Sequence, residues 1–186
     1  MMAAGIVAPT RRDLTETVTI RPFATADARE VRELFVTVNR LLAPADRHEA
    51  FETYIARALA DEIDRITDYY AERGGGFWVA IADDRVAGTF GLELASQEAM
   101  ELRRMYVAPN LRRQGIARLM LVAAETECPR RGFRRLELST SELQPAALAL
   151  YRSSVYALVR EVIAEDISNK TVGGGIRRYY FDKALA

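Results

Sequence analysis

Between Met100 and Arg118 the chain reads MELRRMYVAPNLRRQGIAR. An apolar strand ending at Val107 leads through Ala108 and Pro109 into Arg112, Arg113, Gln114, Gly115, Ile116 and Ala117, where a helix opens. A strand that delivers a basic, glycine-containing loop onto a helix start gathers free backbone N–H groups and the positive end of the helix dipole at one place. The chemistry this suits is anion binding, above all of a phosphate or diphosphate. Gly115 lets a ligand approach the backbone, Ala117 keeps a second close approach open, and the arginines offer charge-assisted hydrogen bonds. Arginines in a first helical turn oppose the dipole unless an anion meets them. By themselves these residues specify a phosphate-bearing ligand and nothing further.

The elements that must position this stretch follow from periodicity. Thr17 to Arg21 is β-branched and alternating, a strand ended by Pro22, with Thr25 or Asp27 able to cap the next helix. Val31, Leu34, Phe35, Val38 and Leu41 predict a helix that ends before Pro44. Phe51, Tyr54, Ile55, Leu59, Ile63, Ile66 and Tyr70 mark one face of a second helix from Asp46 to Arg73, stopped by three glycines. Phe77 to Ala82 and Arg85 to Leu94 flank Asp83-Asp84 as an antiparallel hairpin, with Gly88 and Gly91 implying a bulge or a close backbone approach. The helix beginning near Gly115 is expected to bury Ile116, Leu119, Met120 and Ala123 and to stop between Cys128 and Gly132. Arg134 to Thr140 is then a strand reached by a helical crossover, hence parallel to the one ending at Val107. Pro145 starts a short helix, and Tyr156 to Ile163 and Ile176 to Phe181 are two last strands around a loop from about Asp166 to Gly175. The order is β-α-α-β-β-β-α-β-α-β-β, a mixed α/β sheet of about seven strands with about four helices.

Residues 15–186 suffice for a single domain with a full core, and residues 1–14 read as a disordered tail. That tail's apolar piece precedes its arginines, the wrong order for a signal peptide. Basic and acidic residues cancel at 26 each, so no global field draws the protein to nucleic acid or to a membrane surface, and neither is expected as a partner. No apolar run reaches the roughly 18 residues of a membrane span. A lone cysteine, Cys128, excludes an internal disulfide and fits a reducing cytoplasm; beside Pro129 it reads as a small core residue. His48, the only histidine, falls on a polar helix face, so no metal site is expected.

The order of residues adds a second argument. Arg112-x-x-Gly115-x-Ala117 directly after a Val-x-Pro strand end resembles the coenzyme A loop of the GNAT acetyltransferase superfamily. Glu101 to Val107 resembles that family's central strand, and Ala149-Leu150-Tyr151-Arg152-Ser153 its later helix carrying a tyrosine. The resemblance extends from Thr17 to Lys183. It implies that the two central strands splay just past the phosphate loop and that the thiol arm of acetyl-CoA lies in the gap.

Carried over position by position, the resemblance lays the backbone of Met105, Tyr106 and Val107 along the pantetheine arm. It sets the N–H groups of Arg113, Gln114, Gly115, Ile116, Ala117 and Arg118 on the pyrophosphate, beside Arg112. Tyr151 matches the tyrosine that protonates the departing thiolate. Seven residues before it, where many relatives place a cofactor-contacting asparagine, stands Gln144. Some relatives carry a glutamate base where this chain has Ser139, which cannot serve. The candidates are Glu101 first, then Glu137 two residues back from Ser139, with Glu93 on a neighbouring strand and water as a competitor. Relatives usually follow the tyrosine helix with Gly-Phe; Val155-Tyr156 here must end it differently or under strain.

The function implied is an acetyl-CoA-dependent N-acetyltransferase acting by direct attack of a primary amine on a small molecule, amino acid derivative or peptide. The competing class is a coenzyme A or acyl-CoA binding or sensing module without turnover. A third reading, a phosphate-loop NTPase, is disfavoured by the absence of GxxxxGK[ST]. The long last hairpin could pair across a homodimer.

Overall fold

The computed structural model describes residues 18–185; the expected tail at 1–14 lies outside them. Seven strands form one sheet in the order β1-β2-β3-β4-β5-β7-β6. They are β1 (Thr19–Pro22), β2 (Gly76–Ala82), β3 (Arg85–Leu94), β4 (Ala99–Val107), β5 (Arg135–Ser141), β6 (Ala157–Ala164) and β7 (Ile176–Ala184). Only β4 and β5 run parallel, as their helical crossover demands; every other neighbour is antiparallel. The element order expected from the sequence holds, with one helix broken in two.

Helices cover both faces. α1 (Ala28–Leu42), α2 (His48–Asp61) and α3 (Ile66–Glu72) lie on one, where Val31, Ile66, Tyr69 and Tyr70 pack against Phe77 and Val79. α4 (Ile116–Arg130) and α5 (Pro145–Ser153) lie on the other, where Ile116, Met120, Leu121 and Ala124 meet Phe90, Leu92, Met100, Leu102, Leu136 and Leu138. Leu121 and Ala124 take the deep positions on α4 expected of Leu119 and Ala123, which are half-buried. Pro129 is held inside the last turn, and Gly132, at φ 88°, comes after it. Cys128 is fully buried, and burial first of all pushes its thiol up to about 12, so it is an inert core residue. His48 opens α2, exposed.

The second helix is the correction. The apolar spacing from Phe51 to Tyr70 fits one continuous helix, yet Glu62 leaves helical backbone at φ −140°, ψ −59°, and a 3-10 turn, Ile63–Arg65, leads into α3. The physical reason is that Glu62 is completely buried, and its carboxylate has to reach partners on the sheet.

Two expectations for the β2–β3 hairpin are met in detail. The β2–β3 loop is the pair Asp83-Asp84, both left-handed at φ 48° and 58°, as a two-residue hairpin turn requires. At Gly91 a Cβ would stand 2.3 Å from the Tyr70 hydroxyl, so only glycine lets α3 close on the sheet.

The end of α5 carries the anticipated strain. Val155 is left-handed at φ 64° and 81% exposed, while the Tyr156 N–H donates to the Tyr151 carbonyl at 3.2 Å, closing a Schellman-type turn. A β-branched residue there costs about 1–2 kcal/mol that glycine avoids, offset by glycine's extra unfolded-state entropy. Val155→Gly is therefore expected to stabilise the fold by about 1 kcal/mol, raising Tm by about 2–4 °C. Calorimetric melts of the two proteins measure it; a lower Tm for the glycine variant would contradict the strain.

Candidate active site

β4 and β5 make the site by ceasing to pair. Their register runs from Ala99 opposite Arg135 to Leu102 opposite Leu138 and stops there, although β4 continues to Val107 and β5 to Ser141. β4 stays bonded to β3, and β5 to β7, so the two strands part and leave a cleft between them. A bulge in β4 accompanies the parting. The β3–β4 register shifts between Thr89↔Tyr106 and Gly91↔Arg103, and Arg104 adopts φ 51°.

The loop after β4 is the candidate anion site. A 3-10 turn, Pro109–Leu111, is followed by left-handed Arg113 at φ 65° and left-handed Gly115 at φ 83°, which is the N-cap of α4. Among the described residues the N–H groups of Arg113 to Arg118 have neither a backbone acceptor nor a side-chain cap. Arg112, Arg113 and Arg118 are exposed and belong to none of the ion pairs found among those residues. The Gln114 Oε1 atom is buried without a partner. Six open donors and three guanidiniums without an ion pair fit a multiply charged phosphate ligand; the Gln114 oxygen, an acceptor, adds nothing to that fit.

From α5, Tyr151 reaches the cleft as a buried residue, its ring 5.9 Å from that of Tyr156 and 6.0 Å from that of Phe181. Burial, reinforced by Tyr106, pushes its phenol well above the usual tyrosine range, so it stays protonated. Burial likewise pushes Tyr106 up to about 12. Gln144 lines the cleft too, its Oε1 accepting from Thr140 Oγ1 at 2.9 Å. Met105 and Tyr106 form the β4 wall.

The carboxylates divide. Glu101 lines the cleft but is bound by Lys170 Nζ at 2.5 Å. Glu137, beside Asp182 on β7, is not among the lining residues. Glu93 is tied to Arg103 at 2.9 Å and to Lys170 at 3.1 Å.

Sequence reasoning missed the buried charge network behind this wall. Through the bulge, consecutive Arg103 and Arg104 both reach Glu62. The Glu62 carboxylate accepts from Arg103 Nη2 at 2.8 Å, Arg104 Nε at 2.9 Å, Arg104 Nη2 at 2.7 Å and the Tyr70 hydroxyl at 2.7 Å. Arg104 also donates to the Tyr54 hydroxyl and to the Asn169 carbonyl, each at 2.6 Å. The signal was the Arg103-Arg104 pair itself. In a regular strand consecutive side chains face opposite sides, so two arginines inside an apolar strand call for a bulge and a buried acid.

Burial alone would push Glu62 and Glu93 up, but the charges of Arg104 and Arg103 on the first, and of Arg103 and Lys170 on the second, outweigh it and hold both below 4.5. A depressed folded pKa gives stability that is present above the unfolded value and lost as pH falls through the folded one. Lys170 is displaced the other way: burial opposes its charge, yet Glu101 and Glu93 hold it above 10.5, so its contribution disappears only as pH rises past that value. Urea midpoints are therefore expected to stay level through neutral pH and to drop below about 4.5. A midpoint unchanged down to about pH 3 would contradict the assignment.

A strand pair opened beside a helix start with unpartnered N–H groups is an arrangement suited to a phosphate-bearing chain laid into the sheet. The family model described as the acetyltransferase (GNAT) family matches residues 38–154, and the chain belongs to that family. Human N-acetyltransferase 8 is 30% identical over 106 residues, 54% of this chain and 47% of its own. The uncharacterised N-acetyltransferase YjgM of Escherichia coli (strain K12) is 29% identical over 92 residues, 48% of this chain and 55% of its own. The chain thus spans about half the length of the curated relatives it matches. Among solved structures, the PaiA N-acetyltransferase from Thermoplasma acidophilum in complex with coenzyme A aligns with a TM-score of 0.68 at 17% identity, covering 90% of this chain and 99% of that one. A GNAT family acetyltransferase from Elizabethkingia anophelis with acetyl-CoA bound aligns at 0.60 and 14%, covering 91% and 99%. These share the fold. No helix among the described residues is long and apolar enough to cross a membrane.

Proposed function

We propose that this protein is an acetyl-CoA-dependent N-acetyltransferase that moves an acetyl group to a primary amine of a small molecule, amino acid derivative or peptide by direct attack. The observation that carries the reading is the interrupted β4–β5 register, opening beside the unpartnered N–H groups at the start of α4. In this reading Arg113 to Arg118, with Arg112, hold the pyrophosphate, and the backbone of Met105, Tyr106 and Val107 takes the pantetheine arm. Gln144 contacts the ligand from the other wall. Bound acetyl-CoA supplies an activated acyl carbon. The neutral amine attacks that carbon as the C–S bond breaks, Tyr151 gives its proton to the leaving sulfur, and the proton shed by the acylated nitrogen restores the phenol through solvent. The ammonium's proton must first be lost. Glu101 is the carboxylate best placed to take it, once Lys170 shifts from it, with water as the other route; Glu137 stands further from the cleft and is the second candidate.

That clamp on Glu101 favours a second reading, a coenzyme A or acyl-CoA sensor that binds without turnover. Mixing the protein with acetyl-CoA and a panel of amines while following free thiol separates the two. An enzyme releases thiol in step with one of the amines. Tight binding with no release above the hydrolytic background would leave the sensor.

A further inference from the structure

Four cationic side chains line the cleft: Arg103, Arg104, Lys170 and Arg178. Three of them are neutralised at close range. Arg103 meets Glu62 at 2.8 Å and Glu93 at 2.9 Å, Arg104 meets Glu62 at 2.7 Å, and Lys170 meets Glu101 at 2.5 Å. Those four cations share three carboxylates, and the surplus positive charge falls on Arg178, which forms no ion pair among the described residues. Its neighbour Arg177 takes Glu161 instead.

Arg178 is also held in place. Nη1 donates to the Lys170 carbonyl at 2.7 Å and Nη2 to Ser139 Oγ at 2.6 Å, so β5 and the β6–β7 loop fix the guanidinium at two points. A guanidinium has five N–H donors, and most of this one's have no acceptor among the described residues, on a half-buried wall. A planar fork, pre-oriented, without a counter-ion among the described residues and lining the same cleft as Tyr151 and Glu101, matches a carboxylate. We infer that the acceptor carries a carboxylate next to its amine, as an α-amino acid or an amino-acid conjugate does, and that Arg178 binds it. The inference rests on the acetyltransferase reading for the amine and on the geometry of Arg178 for the carboxylate. A polycationic amine would instead bring charge against the one cation the cleft leaves unneutralised.

The test uses matched acceptors: α-amino acids, their carboxamides and the corresponding decarboxylated amines, with thiol release followed for the wild-type protein, Arg178→Gln and Arg178→Lys. The acids are expected to exceed their amides in kcat/KM by about ten- to a hundredfold, mostly through KM. Arg178→Gln should erase the preference and Arg178→Lys keep part of it, with thermal melts verifying that both variants are folded. Equal use of acids and amides, or a preference that survives in a folded Arg178→Gln, overturns the inference. A second arm needs no turnover: calorimetry of N-acetylamino acids and their amides against protein saturated with coenzyme A. Binding of the acid but not the amide, lost in Arg178→Gln, supports the carboxylate subsite even if no amine is acetylated. Equal or absent binding of the acid in that arm counts against it whatever the amine panel gives.

Discussion

Gly115→Asp is expected to lower acetyl-CoA affinity on the order of a hundredfold or more while the protein stays folded. Gly115 sits at φ 83° as the N-cap of α4, amid N–H groups that no other part of the described chain satisfies. Aspartate is tolerated in that conformation at modest cost, and the position is exposed, so Tm should move by only a few degrees. Its carboxylate, however, would accept the same N–H groups and repel the pyrophosphate. Gly115→Ala separates the two effects, since it adds a β-carbon and strain without charge. Titration calorimetry with acetyl-CoA reads both. Unchanged affinity in a folded aspartate variant would remove the phosphate-loop assignment, and most of the functional reading with it.

Tyr151→Phe should divide binding from turnover. The ring packs against Tyr156 and Phe181, and phenylalanine keeps that packing, so acetyl-CoA affinity should hardly change. The phenol, kept protonated by burial, can donate a proton to a leaving thiolate. Its loss should lower kcat by about 10² to 10⁴, the usual reach of a positioned general acid. The measurement is kcat on one accepted amine beside a thermal melt. Full kcat in the variant would sink the general-acid role and leave the acetyltransferase reading standing, because water can also protonate the thiolate.

How far the sequence reached depends on the range of the interactions involved. The order of strands and helices was legible because it rests on local periodicity and on punctuation by Pro22, Pro44, Asp83-Asp84 and Pro145. The loop from Arg112 to Ala117 was legible because its chemistry is written in consecutive residues. The break at Glu62 was not, since Ile63, Ile66 and Tyr70 continue the apolar face as if the helix ran on, and the carboxylate's partners lie about forty residues away on β4. Lys170 and Arg178 escaped for the same reason. Each owes its role to a meeting of the β6–β7 loop or β7 with β4 or β5, and neither meeting leaves a trace in local pattern. The strain at Val155 could be read in advance because a Schellman-type end needs a left-handed residue and valine resists it.

The parted strands give the sheet an edge in its own interior. Outer edges invite other polypeptides to add themselves, and β6, the edge strand on the β7 side, guards against this with Arg160 and Glu161 set between Leu158, Val159, Val162 and Ile163. The inner edge along Arg103 to Val107 needs no such guard. Four registered residue pairs close it at one end, and the flanking strands hold it on both sides. A foreign strand would have to fit its full width between two strands that are already joined. A narrow chain bearing its own amides can slip in where a peptide cannot. The exclusion comes from the backbone and its register, so the side chains at Met105, Tyr106 and Val107 are left free to drift without opening the sheet to aggregation.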